Sequence, residues 1–439
     1  MRRPRLKAIV VQSSGSQVMI CRRALERVYL DDPSGAVATL LQVLAEGRHD
    51  VNDLPAAMAA RGVVVSDAEI AAALDHLDGL EILEDACGDD RLDDATRLRH
   101  ASNLRFYDLF ARMHRTSADI HTAVATSRVL LLGAGGLGSG VLQALVGLGV
   151  GEITLVDDDV VEVKNLARQF VYGLAALGKP KVYAARDWVE GYSPGTRVTA
   201  VRRRVADVAS IRDLATGCDV VVCAADSPAD LHLLVNEACF AVGIPFVAGG
   251  LAYSTLSYWS VSPGHTPCRL CLELNRVDEA AELPAWQRDG VFIDPPRVNR
   301  ATGPVVQIIS GLMAMEAMRY VTHTDAPIAA ATYNVIELAD GMTTSRSSWA
   351  RHPRCQLCAG SVEPLKLGTD ATTSPDAVNT GMDTTTSPDA VNTGMDTTTS
   401  PDDSHGGTDA TTSRDDSHAG TNATMASDES LATARGGAR

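Results

Sequence analysis

The chain has 439 residues of which 45% are apolar, enough for more than one folded unit and a sizeable core. No apolar run approaches the roughly 18 to 20 residues that cross a bilayer, and the basic start MRRPRLKAIVVQ lacks the apolar stretch of a secretion signal, so a cytoplasmic protein away from the membrane is expected. The net charge of −16 is uneven: residues 1–95 hold 17 acids against 10 Lys and Arg, residues 367–439 hold 12 against 3, and the stretch between is neutral, which leaves neither acidic end with the basic face that nucleic acid requires.

At the N-terminus, KAIVVQ and QVMICRRALERVYL are β-rich runs flanking Ser13, Ser14 and Gly15, the pattern of a hairpin or small meander. Three short helical patterns come next, marked by Leu40, Leu41, Val43 and Leu44, then Leu54, Ala57 and Met58, then Ile70, Leu74 and Leu77. Ser66 with Glu69 three residues on predicts a capping box at the start of the third. A small sheet with three short helices reads as a winged-helix-like module over residues 1–95, joined by a helical linker, 96–126, to a larger domain.

Within a larger domain over 127–366, residues 127–338 alternate strand and helix: SRVLLL, EITLVD, DVVVCA and IPFVAGG read as strands and GLGSGVLQALVGLG as a helix, the cadence of an α/β, doubly wound, mostly parallel Rossmann-like sheet. GPVVQIISGLMAMEAMRYV reads as a long helix, nearly apolar all round, with Met313, Met315 and Met318 as core filling. From residue 367 aromatics vanish, and SPDAVNTGMDTTT starting at Ser374 recurs at Ser387, with SPD again at Ser400. Such a segment cannot bury enough apolar surface to offset its ordering entropy, so a disordered tail is expected over 367–439.

Gly133, Gly135 and Gly138, with Gly136 between them, form GxGxxG directly after the first of these strands and at the mouth of a helix, a context that cradles phosphate. Asp157 ends the next strand, where a carboxylate meets ribose hydroxyls. Taken alone these features suggest a dinucleotide oxidoreductase. The adjoining run, DDDVVEVKNLARQFVYGLAALGKPKV, resembles the DxDxVxxxNLxRQ and GxxK signature of the ThiF/MoeB/HesA superfamily, bacterial relatives of ubiquitin-activating enzymes; it is carried here by Asp157, Asp159, Val161, Asn165, Leu166, Arg168, Gln169, Gly178 and Lys181, with Asp226 in DVVVCAADS. The resemblance implies an ATP-dependent adenylyltransferase. Transfer of a nucleotidyl group to a carboxylate needs cations around the triphosphate, a metal-binding acid and a dry, positioned pocket. Arg168 offers a planar fork for phosphate oxygens and Lys181 a point charge, while Asn165 can donate to phosphate and Asp226 can hold Mg²⁺.

Cys268 and Cys271 with Cys355 and Cys358 are two CxxC pairs, which predict a closed, structural Zn²⁺ site; dithiol redox chemistry is the alternative. Cys21, Cys87, Cys218, Cys223 and Cys239 read as ordinary thiols. Thioester-forming members of the superfamily carry a cysteine ahead of the long apolar helix; here DPPRVNRATGPVV has none, nor does any position between Cys271 and Cys355. The expected acyl-adenylate therefore passes straight to an outside nucleophile, or chemistry ends at adenylation. The superfamily's RYxRQ element, whose arginine reaches a partner subunit's ATP, survives only as NLRFYDLF, with Arg105 as its candidate in a homodimer.

A winged-helix-like start ahead of an adenylating domain is similar to the microcin C-type peptide adenylating enzymes, in which the N-terminal module captures a peptide as an added strand. The expected function is ATP-dependent adenylation of a C-terminal carboxyl group on a ribosomal precursor peptide or a small ubiquitin-like sulfur carrier, with the peptide preferred. The competing readings are a non-catalytic scaffold presenting substrate to a cyclodehydratase, and a NAD(P)-dependent oxidoreductase.

Overall fold

The computed structural model describes residues 2–23, 26–288 and 299–358, so the 367–439 repeat and part of the DPPRVNRATGPVV crossover lie outside the described residues. The fold is built on an eight-stranded sheet. Strands β1 (Pro4–Leu6) to β5 (Leu83–Asp85), with β2 (Val10–Ser14), β3 (Gln17–Arg23) and β4 (Glu26–Asp31) between them, belong to the N-terminal part. The main sheet contains β6 (Arg128–Leu132), β7 (Glu152–Val156), β8 (Arg197–Val201), β9 (Val220–Cys223), β10 (Phe246–Ala252), β11 (Thr255–Val261), β12 (Thr332–Glu337) and β13 (Thr343–Ser348). Its order is β13-β12-β11-β10-β9-β6-β7-β8; the neighbours β8-β7-β6-β9-β10 pair in parallel, while β11, β12 and β13 add an antiparallel flank.

The near-continuous apolar character of β6 follows from burial on both faces. Successive side chains point to opposite sides of the pleat, so Val129 and Leu131 join one core cluster while Leu130 and Leu132 join the other. Against the first face pack the helices Gly136–Leu148 and Gly303–Thr322. They approach closely at Gly140, where a Cβ would lie 2.5 Å from Ser310 Oγ, and Ser310 Oγ donates to Leu137 O at 2.9 Å. The long helix is apolar around most of its circumference because it is wedged between the glycine-rich helix and the sheet. Met313 and Met318 are buried as expected, but Met315 is 38% exposed: two residues beyond Met313 it lies about 200° further round the helix, on the outward side. Glu316, on the same helix, is fully buried and is satisfied by Ser260 Oγ and by the backbone of Ile328 and Ala329.

In the N-terminal part, β2, β3 and β4 form a three-stranded antiparallel meander with β3 in the centre. QVMICRRALERVYL thus contains two strands, and any open edge belongs to β2 or β4. Helices Ala36–Glu46, Leu54–Ala59 and Asp67–Gly79 pack beneath Val18 and Ile20, and the capping box forms: Ser66 Oγ accepts from Glu69 N while a Glu69 carboxylate oxygen accepts from Ser66 N. A small β1–β5 pair closes the module. The module is docked through buried polar groups: Glu84 accepts from Ser117 Oγ at 3.0 Å, and Lys7 Nζ donates to Ala111 O at 2.6 Å, while within the module Arg5 donates to Glu84 at 2.6 Å. Burial and the nearby Arg112 guanidinium push Lys7 down to about 8.

Candidate active site

The C-terminal ends of β6, β7 and β9 open into a cleft of about 240 Å³. Its floor is the glycine loop. Gly133 has φ +97°, a left-handed conformation that a side chain resists, and a Cβ there would lie 2.9 Å from Ala224 O. Gly138 sits so close under the turn that a Cβ would fall 1.8 Å from Gly133 O, whereas Gly135, at the helix N-cap, has open space where a Cβ would project. The loop thereby presents the backbone N–H groups and dipole of the Gly136–Leu148 helix to the cleft. Tyr172 braces it by donating to Ala134 O at 2.8 Å.

The walls are charged. Asp157 holds the loop: one carboxylate oxygen accepts from Ala134 N at 2.7 Å and the other from Asp159 N at 2.8 Å. Burial nonetheless raises its pKa above the usual carboxylate range. Lys181, buried at the start of its helix, places Nζ 2.7 Å from Asp159, whose side chain is 66% exposed. Asp226 faces the cleft from the loop after β9. The cleft thus gathers Gly133, Gly135, Asp157, Asp159, Lys181 and Asp226.

The remaining signature residues stand beside it. Arg168 lies along Gly136, its Nε 3.6 Å from the position of a Cβ there, and its Nη1 donates to Lys164 O. Asn165 is buried, accepting from Glu162 N at 2.9 Å to close a short turn. Gln169 is also buried, and its Oε1 finds no hydrogen-bond partner among the described residues. Arg105 is 67% exposed, with Asp108 at 3.8 Å, and does not line this cleft. Sequence reading passes over Asp158, Arg203, Arg204 and Ser227, which do line it. The signal was the basic run VRRRV after a strand, which carries no meaning until the crossover places it over the cleft.

The four cysteines of the CxxC pairs converge. All are buried, and Cys268 lies 3.8 Å from Cys271 and 3.5 Å from Cys355, while Cys271 lies 3.2 Å from Cys358. A tetrahedral ion with metal–sulfur bonds of about 2.3 Å spaces its sulfurs by about 3.8 Å, so the set fits one closed ion with no position left for water. Trp349 Nε1 donates to Cys268 O at 3.0 Å and anchors the C-terminal strand end beside the cluster.

Residues 108–357 match the family model described as the ThiF family. The chain is a member of the ThiF family. This ThiF-family chain is 30% identical over 269 residues to the SAMP-activating enzyme E1 of Haloferax volcanii, covering 61% of this chain and 93% of that protein. It is 31% identical over 244 residues to the molybdopterin-synthase adenylyltransferase of Escherichia coli, covering 55% and 90%. In fold it is similar to Escherichia coli MccB crystallised with ATP, at TM-score 0.63 and 16% identity, over 82% of this chain and 100% of MccB. The MccB structure with AMPCPP and MccA gives TM-score 0.64 at 18% identity. The ThiF-family chain is an ATP-dependent adenylyltransferase with a mostly parallel Rossmann-like sheet. No helix among the described residues is long and apolar enough to cross a membrane.

Proposed function

We propose that this adenylyltransferase activates the C-terminal carboxyl group of a peptide, in preference to a folded ubiquitin-like sulfur carrier. The observation that carries the peptide reading is the docked meander. Its outer strands β2 and β4 pair only with β3 among the described residues, leaving backbone donors and acceptors for an added strand. Val10 and Tyr29 on those strands are 64% and 59% exposed, apolar surface beside an open edge. The fold similarity to MccB covers more of the chain than the ThiF-matched residues, so it takes in part of this module.

In the proposed reaction a carboxylate oxygen attacks the α-phosphorus of ATP, the acyl–phosphate anhydride forms and pyrophosphate leaves. The N-terminus of the Gly136–Leu148 helix holds phosphate oxygens, and Asp157 meets the ribose. Lys181, next to Asp159, and Arg168, alongside Gly136, meet the charge that develops on the phosphates. Asp226 would hold Mg²⁺, which would supply positive charge against the pyrophosphate oxygens. Asn165 and Gln169, being buried, shape the turn that carries Arg168. Zn²⁺ at Cys268, Cys271, Cys355 and Cys358 would be structural, tying the segment after β13 to the helix Arg269–Ala281. The enzyme would act as a homodimer, with Arg105 extended toward the second copy. Burial pushes the Cys223 thiol up to about 12 and Cys239 higher still, so neither is a nucleophile that would take over the acyl group.

The test is ATP–pyrophosphate exchange with candidate precursor peptides, their C-terminal amides and ubiquitin-like carriers. Exchange driven by a free-acid peptide and abolished by its amide supports the proposal. Exchange with a carrier alone makes the carrier the substrate. ATP binding without exchange by either class leaves a presenting scaffold.

A further inference from the structure

The nucleotide cleft contains cations outside the signature run. Leaving β8 at the sheet's edge, the chain must cross the ends of β7 and β6 to reach β9 on the far side. Arg203 and Arg204 lie on that crossover and line the cleft. Arg204 Nη2 donates to Ser227 Oγ at 3.0 Å, beyond the end of β9, so the crossover is fastened on both sides. Val205 pins it from beneath, packed into the core with Leu132 and Val156. Lys181 already faces Asp159, whereas among the described residues the side-chain bond of Arg204 is to a neutral hydroxyl, with no carboxylate paired to its guanidinium.

The order of the sheet sets what meets what. Phosphates belong at the glycine loop after β6 and ribose at Asp157 after β7, which leaves for the base the part of the cleft beneath the crossover that runs from β8 to Ser227 beyond β9. There the cleft floor turns apolar, with Leu132, Val156, Val205 and Leu231 all lining it and all buried. A flat aromatic base seats on such a floor, and a planar guanidinium is the cation that stacks on its other face. We infer that Arg204, held in place by Ser227, stacks on the purine base of ATP and closes that end of the cleft.

The inference rests on the cleft being the ATP site, and the test separates the two. Affinities of the full chain for ATP, ADP, AMP and adenosine are measured by calorimetry or by competition against a fluorescent ATP analogue, for the wild type, Arg204→Ala and Arg204→Lys. The expected result is that wild type binds ATP and that Arg204→Ala weakens all four ligands by the same factor, about tenfold. Arg204→Lys, which keeps the charge and loses the plane, weakens them equally, with the ligand-free melting temperature unchanged. A loss that shrinks from ATP to adenosine, or rescue by lysine, makes Arg204 a phosphate cation and overturns the stacking role. No loss with any ligand overturns it as well. A wild type that fails to bind ATP removes the cleft assignment itself, and the inference falls with it.

Discussion

Two glycines of the same loop, three residues apart, should respond to one methyl group in different ways. At Gly138 an added Cβ would be 1.8 Å from Gly133 O and 2.6 Å from Gly133 C, both backbone atoms that no rotamer change can move aside. The turn between β6 and its helix must open. Overpacking of this kind costs roughly 1 to 3 kcal/mol, and more where backbone has to shift, so Gly138→Ala should lower the melting temperature by several degrees and displace the phosphate-facing N–H groups. At Gly135 φ is −76° and nothing lies within 4 Å of an added Cβ. Gly135→Ala should therefore change stability by no more than about 0.5 kcal/mol. Its methyl group enters the space through which the triphosphate approaches the backbone, so ATP affinity should fall tenfold or more. Calorimetric melting of the ligand-free chain and titration with ATP read the two effects separately. A Gly138→Ala protein as stable as wild type would refute the close-packing argument. A Gly135→Ala protein with wild-type ATP affinity would show that the nucleotide does not sit on this helix terminus.

Lys181→Ala should reduce pyrophosphate exchange by about 10² to 10³ with little change in melting temperature, because Asp159, 66% exposed, stays solvated without its partner; retained exchange would remove Lys181 from the chemistry. Metal analysis should find about one Zn²⁺ per chain, lost together with several kcal/mol of stability in Cys355→Ala; metal-free, fully stable reduced protein would contradict the closed site. Mass spectrometry during turnover should find no acyl group on any cysteine, and trapping one on Cys239 would refute direct transfer. His121, whose ring centroid lies 4.5 Å from that of His100, is pushed down to about 4 by burial and by the neighbouring ring's charge. The unfolded chain then binds the extra proton between its ordinary pKa and 4, so stability should fall as pH drops from about 6.5 to 4, by on the order of 3 kcal/mol at most. His121→Gln should flatten that part of the denaturation profile; an unchanged slope would place the titration elsewhere.

The sequence by itself determined the features that short stretches of chain settle. GxGxxG after an apolar strand can only be a tight turn into a helix, the Ser66 and Glu69 capping box closes within one turn, and each CxxC pair brings two thiols together locally. The NLxRQ run marked the family for the same reason, as fixed spacings within one segment. Tertiary structure decided everything that depends on strands meeting across long intervals. Pairing of β11 with β12 joins residues separated by the whole 262–331 segment, and no period in either strand signals the antiparallel flank it creates. Placement of β3 in the middle of its meander leaves the outer edges to β2 and β4. Asn165 and Gln169 enter the signature by spacing, and only the fold shows that both are buried, with Asn165 Oδ1 accepting from Glu162 N to close the turn next to Arg168. Arg203 and Arg204 had no readable role until the crossover from β8 to β9 carried them over the cleft. Local patterns record interactions between neighbours in the chain; the composition of this cleft is set by strand order, which emerges only when both faces of the sheet are buried at once.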